Sequence, residues 1–216
     1  PFFLQSVRLK QIYAPRFAKA LIEKKLEEHR LSRSCKIIEI NADSRIHTKY
    51  FDIGFYNTIH SFPDSLGVLV NTPNGRIVET GDYKFDFTPI GERSDYQKMA
   101  YIGEIGVSLL MADSTNSGVP GFSISEKKVA STILEQMRKT PGRLLVSTFA
   151  SNVLRLNQIL EAAVACNRKV AIFGRSMENG CEIGRKMGVI KVPDSSFING
   201  NELNTLPANQ ICIVCT

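Results

Sequence analysis

The stretch "GRLLVSTFASNVLRLNQILEAAVACNRKVAIFGRSMENGCEIGRKMG", residues 142–188, decides the fold. "GRLLVSTFA" reads as a strand, and "SNVLRLNQILEAAVACN" as a helix capped by Ser151 or Asn152. "KVAIFG" is a second strand, "SMENGCEIGRKMG" a second helix, and "NQICIVCT" at 209–216 a third strand. Strand and helix alternate at βαβ spacing, which predicts an α/β fold with a parallel sheet flanked by helices. One further helix, "EKKVASTILEQMRKT", precedes this block and opens at Ser125-Glu126, where a polar N-cap satisfies free amides.

Toward the N-terminus the pattern changes. "APRFAKALIEKKLEEHR" puts Phe17, Leu21, Ile22 and Leu26 on one face, an amphipathic helix. The runs "CKIIEI", "YFDIGFYNTIH", "LGVLVNT" and "GRIVETGDY" predict a hairpin-linked, antiparallel β region. Pro73-Asn74-Gly75 is its clearest turn, because Asn and Gly accept positive φ cheaply. "DYQKMAYIGEIG" is expected to be a short helix and "VSLLMADST" a buried strand. Composition shifts near residues 114–122, which places the expected domain boundary there: 1–118 and 119–216.

With 43% hydrophobic and 22% charged residues among 216, the chain has an ordinary globular composition. There is no run of eighteen apolar residues and no signal peptide, so no membrane association is expected. The net charge of +6 and pI of about 9.1 favour a polyanion partner modestly, or simply describe a solvated basic surface. Five cysteines without a secretory signal fit a reducing cytoplasm. Cys212-x-x-Cys215 lacks the second pair of a zinc knuckle and reads as part of a strand. The chain starts at Pro1 rather than Met, and "ICIVCT" stops as a strand finishes, so a piece of a longer protein is expected.

Candidate chemistry clusters at strand ends, where a rigid sheet can bring ligands together from distant sequence. His60 and Asp82 each follow an apolar strand and are competent ligands for Zn²⁺ or Mn²⁺. Two ligands do not make a site, and a capping Asp with a satisfied His explains the same spacing. Asp113 in "LLMADSTN" could orient a catalytic histidine or cap a turn. In "STFASNVLR", Ser151 and Asn152 stand at a helix N-terminus suited to phosphate, with Arg155 one turn in. "FGRSMENG" repeats the arrangement with Gly174, Arg175 and Ser176. No Walker A and no G-x-G-x-x-G is present, which counts against nucleoside triphosphates and dinucleotides.

The strings "HSFPDSLGVLVNTPNGRIVETGDYKFDFTP", "DSTNSGVPGFSISE", "TFASNVLRLNQIL" and "GRSM" closely resemble the ribonuclease J family. This family belongs to the metallo-β-lactamase superfamily and carries a β-CASP domain. The resemblance runs essentially from end to end. It implies part of a metallo-β-lactamase αββα domain over 1–118, then part of a β-CASP domain over 119–216. It implies that His60 matches the histidine of the third metal motif, and Asp82 the acid of the fourth. Asp113 would match the first β-CASP motif, an acid orienting a later histidine. Ser151, Asn152, Arg155, Arg175 and Ser176 would lie in the region that clamps RNA. The implied parent is a 5′-to-3′ exonuclease and endonuclease of rRNA processing and mRNA decay. It would use two divalent ions, zinc or manganese, and act as a dimer or tetramer.

The chain departs from the family by lacking His-x-His-x-Asp-His, which the resemblance puts before residue 1. It also lacks the Gly-Ser-Gln-Gly-Glu-Pro expected after "CT" and the later histidines. It therefore resembles a central segment. With only His60 and Asp82, neither ion of a pair about 3.5–4 Å apart would reach a normal coordination number, so the isolated chain is expected to be inactive. A non-catalytic RNA-binding module or subunit is the alternative. A small-molecule hydrolase is a third option, disfavoured because such enzymes need no β-CASP insert.

Overall fold

The structure, a computed structural model, describes residue 4, residues 6 and 7, and residues 9–216. Two compact units form. The first comprises Pro1–His60, Asp64–Phe85 and Glu92–Ser123; the second comprises Ser61–Pro63, Asp86–Gly91 and Ile124–Thr216.

In the first unit, β1 (Gln11–Pro15), α1 (Arg16–Glu28) and β2 (Lys36–Ile40) make a β-α-β unit. β1 and β2 are parallel, in register from Gln11↔Lys36 to Pro15↔Ile40. α1 starts directly after Pro15 and buries Phe17 and Leu26. One of the amides that helix geometry leaves unpaired, Phe17 N–H, donates to Asp64 Oδ2 at 3.2 Å.

A five-stranded sheet follows, with order β3-β4-β5-β6-β7. Its strands are β3 (Arg45–His47), β4 (Asp52–Asn57), β5 (Leu66–Thr72), β6 (Gly75–Glu79) and β7 (Leu109–Met111). The pairs β3–β4, β4–β5 and β5–β6 are antiparallel, whereas β7 joins β6 parallel. The helix α2 (Tyr96–Glu104), capped by Asp95 accepting from Lys98 N–H, lies between β6 and β7 in the chain. Tyr56, Val78 and Ile102 form a core that Leu69 and Met99 flank. Tyr56 sits opposite Gly67 in the β4–β5 register. A Cβ on Gly67 would lie 2.2 Å from the tyrosine ring, so only glycine leaves room for it.

Two strand expectations are corrected. β2 does not belong to the antiparallel region but pairs parallel with β1, which the sequence reading had not marked as a strand. β7 is a strand but is not buried: Leu109, Leu110 and Met111 are 50%, 60% and 52% exposed. It lies at the sheet's edge, with a neighbour on one side only.

The second unit has the expected alternation. Its elements are α3 (Glu126–Lys139), β8 (Leu144–Ser147), α4 (Val153–Ala165), β9 (Lys169–Ile172), α5 (Arg175–Lys186) and β10 (Ile211–Cys215). The strands form an all-parallel sheet of order β8-β10-β9. α4 buries Val153, Leu156, Ile159, Leu160 and Ala163 completely, spacings that put them on one helical stripe. Cys212 and Val214 of β10 are fully buried on the ladder between β8 and β9.

A buried cation ties this unit together. Arg168 is 4% exposed, yet its guanidinium donates to four carbonyl oxygens. They belong to Met137 (3.3 Å), Thr140 (2.5 Å), Gly142 (2.8 Å) and Ile211 (3.2 Å). Two of these acceptors lie at the C-terminal end of α3, where carbonyls lack helical partners and the dipole favours positive charge. The fold is thus mixed α/β, with parallel and mixed sheets flanked by helices, as expected from the sequence.

Candidate functional site

β4, β6 and β7 run in one direction, because β5 is antiparallel to both β4 and β6 and β7 is parallel to β6. Their C-terminal ends therefore share one edge of the sheet. His60, Asp82 and Asp113 leave the sheet from these three ends, two or three residues past the last paired residue. The structure thus gathers on one edge three residues that lie far apart in sequence.

Hydrogen bonds stitch the three loops together. Lys84 N–H donates to Ile59 O at 2.7 Å, joining the Asp82 loop to the residue before His60. Thr80 N–H donates to Met111 O at 3.0 Å, and Asp113 N–H donates to Thr80 Oγ1 at 3.1 Å. Gly81 turns the chain with φ of +60°, where a Cβ would approach Leu66 O to 3.2 Å. Its N–H donates to Glu79 Oε1 at 2.9 Å. Main-chain amides thus fix the approach to Asp82, two of them on carbonyls and two on the side-chain oxygens of Glu79 and Thr80. The sequence reading missed Thr80 and Lys84; a threonine at a strand end before Gly-Asp is the one local signal for such a turn.

Asp113 Oδ1 accepts from Thr115 twice, from Oγ1 at 2.5 Å and from N–H at 2.9 Å. The hydroxyl bond, then the amide bond, hold this carboxyl below the usual range, and the His60 charge adds a smaller pull in the same direction. His60 therefore lies close enough to Asp113 to act on it electrostatically. His60 and Asp113 are half-buried, and Asp82 is exposed.

Behind this edge lies an apolar cavity of about 370 Å³, lined by Tyr56, Thr58, Val78, Thr80, Met99 and Leu110 among others. Tyr56 donates to Glu79 O at 3.4 Å. Its hydroxyl pKa is pushed up by burial, then by the nearby Glu79 and Tyr83.

An imidazole and a carboxylate sit on one edge, the right chemistry for Zn²⁺ or Mn²⁺. Among the described residues, however, no group of three or more His, Cys, Asp or Glu gathers where an ion could be held. The residues of this chain do not complete a coordination shell.

In the second unit, Asn152 caps α4, its Oδ1 accepting from Arg155 N–H at 3.0 Å. Ser151 is exposed beside it. Arg155 does not project an unpaired guanidinium. It grips Glu126 through contacts of 2.7, 2.9 and 3.1 Å, with both side chains largely shielded. Arg175 and Ser176 open α5 after Gly174, whose φ is +106°, and both are exposed. The two predicted turns do point from the same end of the sheet, since β8 and β9 are each parallel to β10.

Comparison with known proteins bears on both units. Residues 141–216 match the family model described as ribonuclease J, beta-CASP domain. Over all 216 residues the chain is 46% identical to ribonuclease J 1 of Streptococcus pyogenes. The chain resembles ribonuclease J from end to end. It is 40% identical to ribonuclease J of Mycoplasma genitalium over the same length. To ribonuclease J 2 of Staphylococcus aureus it is 38% identical over 206 residues, 95% of this chain. The chain spans only 37–38% of the length of these ribonuclease J relatives. A crystal structure of a protein of unknown function from Enterococcus faecalis is similar in fold, with a TM-score of 0.67 at 15% identity. That likeness covers 94% of this chain and 52% of the other.

Proposed function

We propose that this chain is the central part of a ribonuclease J-like enzyme that hydrolyses RNA phosphodiester bonds, 5′-to-3′ and internally, in the cytoplasm. The observation that carries the reading is the common sheet edge from which His60, Asp82 and Asp113 emerge, on a chain similar throughout to ribonuclease J. In this reading, residues 1–118 are part of a metallo-β-lactamase domain and 119–216 part of a β-CASP domain. His60 and Asp82 are two ligands of a zinc- or manganese-binding centre completed from outside this chain. Asp113 acts as a positioning residue that orients a histidine. The parent protein assembles as a dimer or tetramer.

The bound ions would supply Lewis-acid polarisation of the phosphodiester and a nucleophilic hydroxide. This chain's own part is to fix an imidazole and two carboxylates on a rigid edge. In the second unit, Arg175, Ser176 and Ser151 hold the RNA backbone, with Asn152 fixing the turn. Arg155 takes a modified place here: paired with Glu126, it braces the Asn152 turn rather than neutralising a phosphate.

Two experiments test the reading. In the full-length parent, His60→Ala and Asp82→Ala should each lower RNA hydrolysis by more than the roughly 10–100-fold that loss of an outer-shell partner of a metal ligand costs. Wild-type rates in both variants would overturn it. The isolated 216-residue chain should show no hydrolysis with zinc or manganese, and robust metal-dependent cleavage would refute that part. A non-catalytic RNA-binding module is the alternative. It is favoured if the full-length parent binds RNA but never cleaves it.

A further inference from the structure

The C-terminal rim of the parallel sheet carries two aromatic rings that no core uses. Phe149, just past β8, is 82% exposed, and Phe173, just past β9, is 40% exposed. Both are mounted on rigid backbone. Thr148 N–H donates to Cys215 O at 3.1 Å and Phe173 N–H donates to Val214 O at 2.9 Å, so the ladder to β10 continues to their bases. Since β10 lies between β8 and β9, the two mounts stand about 10 Å apart, two strand spacings.

The surroundings suit a polyanion that carries planar rings. Residues 144–155, 169–177 and 211–216 contain no Asp or Glu. Exposed Arg175 and Ser176 follow Phe173 directly. Phe173 also walls a recess of about 370 Å³ together with Phe197, Asn199 and Gly200. A Cβ on Gly200 would lie 3.4 Å from the Phe173 ring, so the glycine keeps that ring uncovered. Glu178 and Glu182 lie on the same recess. Glu182 pairs with Lys186, and Arg185, which also lines the recess, stacks on Phe197, so the Glu178 carboxylate is the group to accept the amino edge of a base there, with Arg175 facing the backbone.

We infer that Phe149 and Phe173 are stacking faces for successive bases of single-stranded RNA, with the Phe173 recess receiving one base. The inference rests on the RNA reading above and adds to it the side chains that select unpaired bases. Every base has a π-face, so such a platform favours single strands without sequence preference.

Fluorescence anisotropy of the 216-residue chain tests this with three probes. They are a single-stranded RNA of about ten nucleotides, the same length of abasic ribose-phosphate, and a blunt RNA duplex. Wild-type protein should prefer the single strand. Phe149→Ala and Phe173→Ala should each weaken it about tenfold, with abasic binding changed less than twofold. Phe173→Leu, which keeps apolar volume, should behave like Phe173→Ala, and circular dichroism checks that each variant folds. Unchanged single-strand affinity in the variants overturns the stacking inference while leaving RNA binding intact. Equal loss on the abasic probe also overturns it. Failure of the wild type to bind any of the three sinks both readings.

Discussion

The two units hold their functional ends in different ways. In the first, the loops bearing His60, Asp82 and Asp113 are held through main-chain amides passed from loop to loop: Lys84 to the Ile59 carbonyl, Thr80 to the Met111 carbonyl, and Asp113 to the Thr80 hydroxyl. In the second, side chains do the holding: Arg168 gathers four carbonyls, Arg155 grips Glu126, and Asn152 caps α4. The core differs accordingly. Ten or so side chains of the second unit are entirely shielded, whereas β7 of the first leaves Leu109, Leu110 and Met111 exposed. Loops held through main-chain amides tolerate replacement of the His60, Asp82 or Asp113 side chains, though not of Thr80, while a unit tied by single charged side chains is exposed to single substitutions.

The largest test of this contrast is Arg168→Leu. It strands four carbonyls, two in buried bonds and two in part-buried ones, that a charged donor had satisfied and should cost about 3 kcal/mol. All six tyrosines lie between residues 13 and 101. Tyrosine fluorescence therefore reports on the first unit alone, and far-ultraviolet circular dichroism on both. Urea unfolding should show an earlier transition by circular dichroism with the tyrosine transition in place. Identical shifts in both signals would break the distinction between the units.

Next in size is Gly67→Ala. It forces the Tyr56 ring out of its place and should cost about 2 kcal/mol, a typical overpacking penalty. The tyrosine signal should now be the one that moves. Pairing it with Tyr56→Leu should restore most of the loss, because the ring is the obstacle.

Glu126→Gln removes one half of a pair whose side chains are 25% and 20% exposed, and should cost about 1 kcal/mol, less in high salt. A loss insensitive to salt would mean that packing, rather than charge, joins α3 to α4.

The smallest effect concerns two thiols of the second unit. Burial raises Cys181 and Cys212 to about 11. Unfolded thiols ionise near their ordinary value, so stability is fully present below it and is lost as pH rises through about 9 toward 11. At pH 8 both thiols should react with a disulfide reagent only as fast as the unit opens. Rapid labelling of Cys212 in folded protein would contradict the tight core described for β10.

Element types were legible in the sequence because they depend on local periodicity. The alternation over 142–188, the Pro73-Asn74-Gly75 hairpin and the Ser125 and Asn152 caps all needed only neighbouring residues. What was not legible depends on partners far along the chain. "CKIIEI" has the same alternation whether it joins an antiparallel sheet or pairs with Gln11–Pro15, and nothing local distinguishes them. "LLM" at 109–111 is as apolar as a core strand, yet lies at an edge. At the candidate site, the strand-end positions of His60, Asp82 and Asp113 could be read from apolar runs. Their common edge required the parallel joining of β7 to β6. Arg155 looked suited to phosphate because its partner, Glu126, stands 29 residues earlier.

The order β8-β10-β9 has a consequence in time. As the chain leaves the ribosome, β8 and β9 are made first but cannot hydrogen-bond each other, because the place between them belongs to a strand not yet synthesised. They must wait through residues 173–210 with their inner edges open. The last strand then closes both ladders at once, a long-range step of the kind that slows folding. Until then, each waiting edge is a place where a passing chain could bind instead.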